Sequence, residues 1–367
     1  MKILAIDVGT GTQDILLFDT TIEVENCLQL IMPSPTVLVA RQIKQATVQN
    51  EDVLLTGTIM GGGPSSWAAE DHLRAGRRVY ATPEAAKSFN DDLEEVRKSG
   101  IQVVSQEEAA HLPNIRRVEM RDVDLVALGR AFAAFGIDLD FDALAVAVFD
   151  HGNAPPGYSD RLFRFEFLAE RIKALNSPAA FAFMRGQIPP RLTRMQAVAD
   201  SIRADAPLLI MDTAPAAVLG AMEDDRVRAH PTAVIANVGN FHTLAFRFDD
   251  GVIAGLFEHH TGELKREQLE QFIQQLVEGT LTHDAVFGSK GHGALVLDKR
   301  PVPLDFLAIV GPRRGVLLHS RFEPYFATPY GDMMLAGCYG LVRAYAALNP
   351  DSAPEINRAL DEARETV

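Results

Sequence analysis

The sequence has 367 residues, 47% hydrophobic and 23% charged, enough apolar side chains for two cores rather than one and far too many for a disordered chain. Its 35 basic residues are outnumbered by 49 acidic ones, and the net charge of -14 repels phosphate backbones and anionic lipid, which argues against nucleic acid or a membrane as the main partner. Cys27 and Cys338 are too few for a disulfide framework, and the chain opens at once on a strand pattern with no signal-like segment and no apolar run of about 18 residues, so a cytoplasmic protein is expected.

Residues 3–8 read as a central strand and 15–19 as a second, joined into a hairpin by a turn holding Gly9 and Gly11. Short strands are predicted at 53–56, 78–81 and 101–104, with helices around 66–75 and 90–98 between them. That alternation implies a parallel or mixed sheet with helices on its faces. The apolar run 143–149 is another buried strand, ending at Asp150, His151 and Gly152. A Pro- and Gly-rich loop follows at 151–160, and Pro189 and Pro190 mark a further break. A strand at 207–211 leads into Asp212, Thr213 and a helix of small residues from 216 to 222. Next comes a second hairpin, 233–238 with 243–248, then Asp249, Asp250 and Gly251 as a tight turn into a third strand. Residues 265–278 are helical, with Leu269, Phe272, Ile273 and Leu276 on one face and Gly279 closing the end. The lobe boundary is expected near residue 225: 1–225 as a first lobe, completed by C-terminal helices in 341–367, and 226–340 as a second.

The glycines after the first strand raise a dinucleotide-binding turn, but its third glycine is missing and the next residues read as strand; no Walker-type phosphate loop is present either. What remains is Asp7 at a strand end followed by Gly9, Thr10, Gly11 and Thr12. Such a turn can aim backbone N–H groups and threonine hydroxyls at phosphate oxygens while Asp7 holds Mg²⁺ directly or through water, though a plain β-turn would use the same residues. Gly61, Gly62 and Gly63, before a helix N-terminus, form a second candidate ligand loop, or else a strand-to-helix turn capped by Ser65 or Ser66. Asp150 and His151 end a strand, where sheet proteins present groups to ligands; Asp150 can equally cap the turn. Asp160, Arg161 and Arg164 follow, either an arginine fork for a carboxylate or phosphate substrate or a solvated loop. His242, His259 and His260, with Glu258 alongside, are candidate ligands for zinc or iron(II). Side chains alternate along a strand, so only one of His259 and His260 can join His242.

The turn at residues 7–14 resembles the first phosphate motif of the actin, sugar-kinase and chaperone ATPase superfamily, and later segments match that superfamily in order. Asn237, Gly239, Asn240 and Thr243 stand where its second phosphate motif falls, with Asn237 replacing the usual Asp. Asp212 and Thr213 with Ala216, Ala217, Gly220 and Ala221 resemble its first connecting helix. Gly331 and Asp332 with Ala336, Gly337 and Gly340 resemble the second, and Gly311 falls at the adenosine loop. The resemblance implies an α/β protein with the two-lobed actin-like ATPase (ribonuclease H-like) fold and duplicated mixed sheets. It also implies Mg-ATP, or another nucleotide, held between the lobes. In sugar-kinase relatives a carboxylate near the cleft takes the proton from the attacking hydroxyl, a role the resemblance gives to Asp150, with Gly61 to Gly63, His151 and Arg161 near the substrate.

Within the superfamily the chain resembles a family labelled pyruvate formate-lyase activating enzyme, through residues 7–14, 60–64, 150–152, 237–243, 258–262 and 329–332. Radical generation of that kind needs three closely spaced cysteines for an iron–sulfur cluster, and this sequence has two in total. Three functions stay open. The first is an ATP-dependent phosphotransferase or ATPase acting on a small-molecule substrate. The second is a nucleotide-dependent activator of a partner enzyme, and the third a non-catalytic ligand sensor, for which the uncharged Asn237 is the main argument.

Overall fold

The computed structural model describes residues 1–362; the last part of the segment expected to complete the first lobe, 363–367, lies outside the described residues. The chain begins with β1 (Lys2–Val8), β2 (Thr12–Asp19) and β3 (Leu28–Pro33), an antiparallel meander whose first turn is the expected hairpin. A helix Pro35–Gln49, absent from the expected elements, then leads into β4 (Val53–Gly57), β5 (Val79–Ala81), β6 (Gln102–Val103) and β7 (Arg116–Met120). These four form a parallel sheet of their own, in the order β6-β5-β4-β7, inserted between β3 and β8 (Ala143–Val148).

After β8 the chain does not form the solvated loop that was one expectation for Asp160 to Arg164. Ser159 caps a helix, Asp160–Ala174, whose Phe165, Leu168 and Ile172 recur at helical spacing and are buried. β9 (Ala182–Met184) and β10 (Leu208–Asp212) complete the first sheet. The second is built from β11 (Ala233–Val238), β12 (His242–Asp249), β13 (Val252–His260), β14 (Gly293–Val296), β15 (Leu307–Val310) and β16 (Tyr325–Phe326).

The two six-stranded sheets run β3-β2-β1-β8-β10-β9 and β14-β13-β12-β11-β15-β16. Leaving aside β9 and β14, both read third, second, first, fourth, fifth along the chain. In each, the second strand runs antiparallel and the first, fourth and fifth run parallel. One strand order used twice, with helices on the faces, is the duplicated ribonuclease H-like architecture of the actin-like ATPases.

Alternation along the strands explains how each sheet is covered. Ile3, Ala5, Ala143, Ala145 and Ala147 share one core with the helix Ala336–Leu348, while Leu4, Ile6, Val8, Leu144, Val146 and Val148 share another. The alanine-rich face lets that helix come close. The helix Thr213–Ala221 is buried on every side: Ala216 and Leu219 belong to the first sheet's core, and Ala214, Ala217 and Val218 to the second's. It crosses Ala336–Leu348 where Gly220 meets Ala336 and Gly340, and where Gly340 meets the Ala216 carbonyl; a Cβ at either glycine would overlap backbone. Of the small residues singled out in both segments, Ala216, Gly220, Ala336 and Gly340 meet at this crossing, while Gly337 lies against Asp7.

Candidate functional site

The parallel strands aim their carboxyl ends at one cleft of about 430 Å³. β8 delivers Asp150 and His151, β10 delivers Thr213, β15 delivers Gly311, and the inserted sheet delivers Gly61 to Gly63 after β4. Ligands of open α/β sheets lie outside the carboxyl ends of their strands, so the topology itself marks this groove.

Two hairpin turns of the same build face the cleft. Gly9 N–H donates to the Thr12 carbonyl at 3.0 Å, and Gly239 N–H donates to the His242 carbonyl at 2.9 Å. Thr10 and Thr12 line the cleft beside Gly9, and Asn237 and Asn240 beside Gly239. Gly11 supports the tip, where a Cβ would come within 3.0 Å of the Asn240 amide. Thr243 does not reach the ligand space: it is fully buried, and its hydroxyl is bonded to that of Thr261 at 2.9 Å. Gly311, at φ +99°, passes close to Asn237 and Val238, and its N–H meets the Met333 sulfur at 3.3 Å.

The charge on the two turns is unequal. In the first, Asp7 stands directly across the ladder from Asp14. The Asp7 carboxylate accepts from the Thr213 hydroxyl at 2.6 Å and lies against Gly337, where any side chain would displace it. Burial pushes its pKa up to about 7, with the Asp212 charge adding and the Thr213 hydrogen bond opposing. Asp14 is pushed up to about 8, by burial and then by the Asp7 charge, and its Oδ1 has no hydrogen-bond partner among the described residues. Two buried carboxylates side by side, one with an unused oxygen, form the oxygen donor set that suits a hard divalent cation.

The Asp150 carboxylate is gripped from both sides: Gly152 N–H donates to Oδ1 at 2.8 Å and Met195 N–H to Oδ2 at 2.9 Å. Asp150 is therefore a turn and helix cap whose oxygens each keep a further lone pair. Burial raises its pKa to about 6 against those two amides and the Arg194 and Arg164 cations. Arg194 was not singled out in the sequence. It forks onto Asp122 at 2.8 Å through Nε and Nη2, donates to the Phe149 carbonyl, and packs under Gly61, bringing a second cation to the cleft beside Lys87. The Gly61 to Gly63 loop is pinned by Asp122 and Thr36, and Gly63, at φ +71°, touches Phe241 from the second hairpin. Arg161 lies elsewhere: it donates to the Phe287 and Gly291 carbonyls and stacks on the Phe287 ring, tying the Asp160–Ala174 helix to the second sheet.

Arg164 is the floor of the site. Fully buried, it donates to Asp212 at 2.7 Å, to Glu258 at 2.7 and 2.8 Å and to the Asp150 carbonyl at 2.8 Å, with its guanidinium 3.7 Å from the Phe149 ring centre. Of the histidines around the second hairpin, His260 is His242's direct cross-strand neighbour, their ring centres 5.0 Å apart. His259 points to the other face, bonded to Ser289 and to the His260 carbonyl, and takes no part in the cleft.

These features define an α/β protein of the two-sheet, actin-like ATPase fold, with one cleft at the carboxyl ends of its parallel strands. More narrowly, residues 60–316 match the family described as "Putative pyruvate format-lyase activating enzyme (DUF1786)", and the chain belongs to that family. No curated protein matches it. Among solved structures it is similar to the activator of the 2-hydroxyisocaproyl-CoA dehydratase from Clostridium difficile with bound ADPNP. That pair has 10% identity and a TM-score of 0.33 over 100% of this chain and 97% of that one. An exopolyphosphatase-like protein gives 8% identity and a TM-score of 0.27 over 99% and 92%. The strand orders, not these distant likenesses, define the fold.

Proposed function

We propose that the protein binds a magnesium nucleotide in the cleft and acts as a nucleotide-dependent phosphotransferase or ATPase. The two halves, 1–225 completed by 341–367 and 226–340, would close on the ligand. The reading rests above all on the two matched turns facing one groove, one of them backed by a pair of buried carboxylates. In this reading the amides and hydroxyls from Gly9 to Thr12 and from Gly239 to Asn240 grip phosphate, Asp7 and Asp14 hold the cation, and Gly311 borders the nucleoside. Magnesium held there would neutralise charge on the nucleotide's phosphates. Lys87 and Arg194 add positive charge where the substrate end would lie, and Asp150 accepts a proton from a substrate hydroxyl or water through its remaining lone pairs.

A sensor that binds without turnover is the second reading, favoured by the second turn: Asn237 and its cross-strand partner Leu244 put no carboxylate there. Iron–sulfur radical chemistry is not assigned, since the sequence has two cysteines and both are buried, Cys27 against Asp19 and Cys338 beneath Asp14.

The test is calorimetry and thermal shift with nucleotides, with and without Mg²⁺, on the wild type and Asp7→Ala. A Mg²⁺-dependent rise in midpoint that disappears in the variant is expected. Equal affinity in the two proteins removes Asp7 from the site and the reading with it.

A further inference from the structure

Three histidines from distant segments meet at the cleft. His151 follows β8, His242 opens β12 and His292 precedes β14, and one ring nitrogen from each lies within 4.8 Å of the other two. His151 and His242 line the cleft itself. His292 is fully buried, yet among the described residues neither of its ring nitrogens has a hydrogen-bond partner, and the buried Nε2 of His242 has none either. Buried polar atoms are nearly always satisfied, and each orphan costs about 1–3 kcal/mol, so the unmatched nitrogens of His242 and His292, converging with His151, ask for a ligand that accepts one lone pair from each ring.

The surroundings favour a cation. Beneath the rings, Arg164 is matched by two carboxylates, Asp212 and Glu258, which leaves that network one negative charge in excess; the Glu258 oxygen lies 3.8 Å from His292 Nδ1.

We propose that His151, His242 and His292 form a binding site for a divalent transition-metal ion of the kind that prefers imidazole, zinc or iron(II). Three protein nitrogens leave a coordination position for water or substrate, the pattern of reactive rather than structural sites. Because two of the ligands line the cleft, that position opens toward it. The set differs from the one drawn from sequence: His260 packs beside the cluster, its ring centre 4.6 Å from that of His292, and His259 is turned away. The site is also distinct from the carboxylates of the first turn, being made of nitrogen rather than oxygen donors.

The experiment strips the full-length protein with chelator, loads it with Zn²⁺, desalts it and measures bound metal, with Co²⁺ absorption as a second readout of coordination. One equivalent per chain is expected in the wild type and in Asp7→Ala, whose nucleotide site is damaged. Since even outer-shell changes weaken metal sites roughly tenfold or more, His151→Ala and His292→Ala should each retain less than about a tenth of an equivalent. His151 is exposed in the cleft, so that variant is expected to fold, which its circular dichroism and melting curve establish. A full equivalent retained by folded His151→Ala, or no retention and no cobalt spectrum in the wild type, overturns the proposal. Zinc should likewise raise the melting midpoint of the wild type and not that of His151→Ala, and an equal rise in both also defeats it.

Discussion

Gly9 and Gly239 turn the chain in the same way, each closing onto the carbonyl three residues ahead, and the strands that leave these turns pair in the same register. Position by position, however, Asp7 corresponds to Asn237, Thr12 to His242 and Asp14 to Leu244. The first turn concentrates two buried carboxylates, and the second offers an amide, an imidazole and an aliphatic side chain. A duplicated backbone has therefore been divided by chemistry: of the two turns, the first carries a pair of buried carboxylates and the second only neutral side chains at the matching positions.

The most drastic way to disturb this pairing is to cut the network that joins the sheets beneath it. Arg164 bridges Asp212 at the end of β10 to Glu258 in β13. Arg164→Met leaves two carboxylates buried without their counter-charge, and removing one partner of such a network costs about 3–5 kcal/mol. Urea denaturation followed by circular dichroism should show that loss; a change below about 1 kcal/mol would mean that water already reaches the network.

A more selective break exchanges the chemistry of the two turns. Asp7→Asn gives the first turn the second's amide, and it should weaken Mg²⁺-nucleotide binding by about 2–3 kcal/mol, roughly 30- to 150-fold in Kd. Asn237→Asp is the reverse exchange. With Leu244 opposite, the new carboxylate lacks a partner to share a cation, so its effect should stay below about tenfold. Titration calorimetry on both variants decides the matter, and equal losses would show that the two turns share the cation after all.

The asymmetry was partly legible in the sequence. Asp7, Gly9 and Thr10 declared the first turn because backbone turns and phosphate cradles need those residue types locally, and Asn237 announced the loss of charge in the second. The helix Pro35–Gln49 also had its signals, a Ser34–Pro35 start and Val39, Ala40, Ile43 and Ala46 at helical spacing. Asp160–Ala174 was hidden by its charged first turn, since a polar opening looks like a loop until Phe165, Leu168 and Ile172 are counted together. Nothing local marks Arg194, and His292 stands out only as one more histidine downstream of the second hairpin. They become site residues only because β14 and the helix Thr193–Ser201 are carried to the cleft by pairings with segments far away in sequence. Strand alternation did separate His260 from His259, but which other imidazoles gather at His242 is a matter of topology rather than pattern.

The smallest expected effect sharpens the charge difference through pH. Asp7 and Asp14 have folded pKa values of about 7 and about 8, above the ordinary carboxylate range they return to on unfolding. Between about pH 4 and pH 8 the folded protein therefore holds more protons than the unfolded chain, and the metal-free protein must lose stability from this pair as pH rises through that window. Asp14→Asn removes one of the two charges, so it should stabilise the metal-free protein near pH 8.5, with the gain vanishing toward pH 4. Leu244→Asn at the matching position of the second turn introduces a buried amide but no titrating group, and its penalty should be the same at both ends of the range. Melting curves across pH for the two variants separate these cases. A pH-independent effect for Asp14→Asn would mean that the first turn carries no proton-coupled strain, and that the difference between the two turns is one of shape alone.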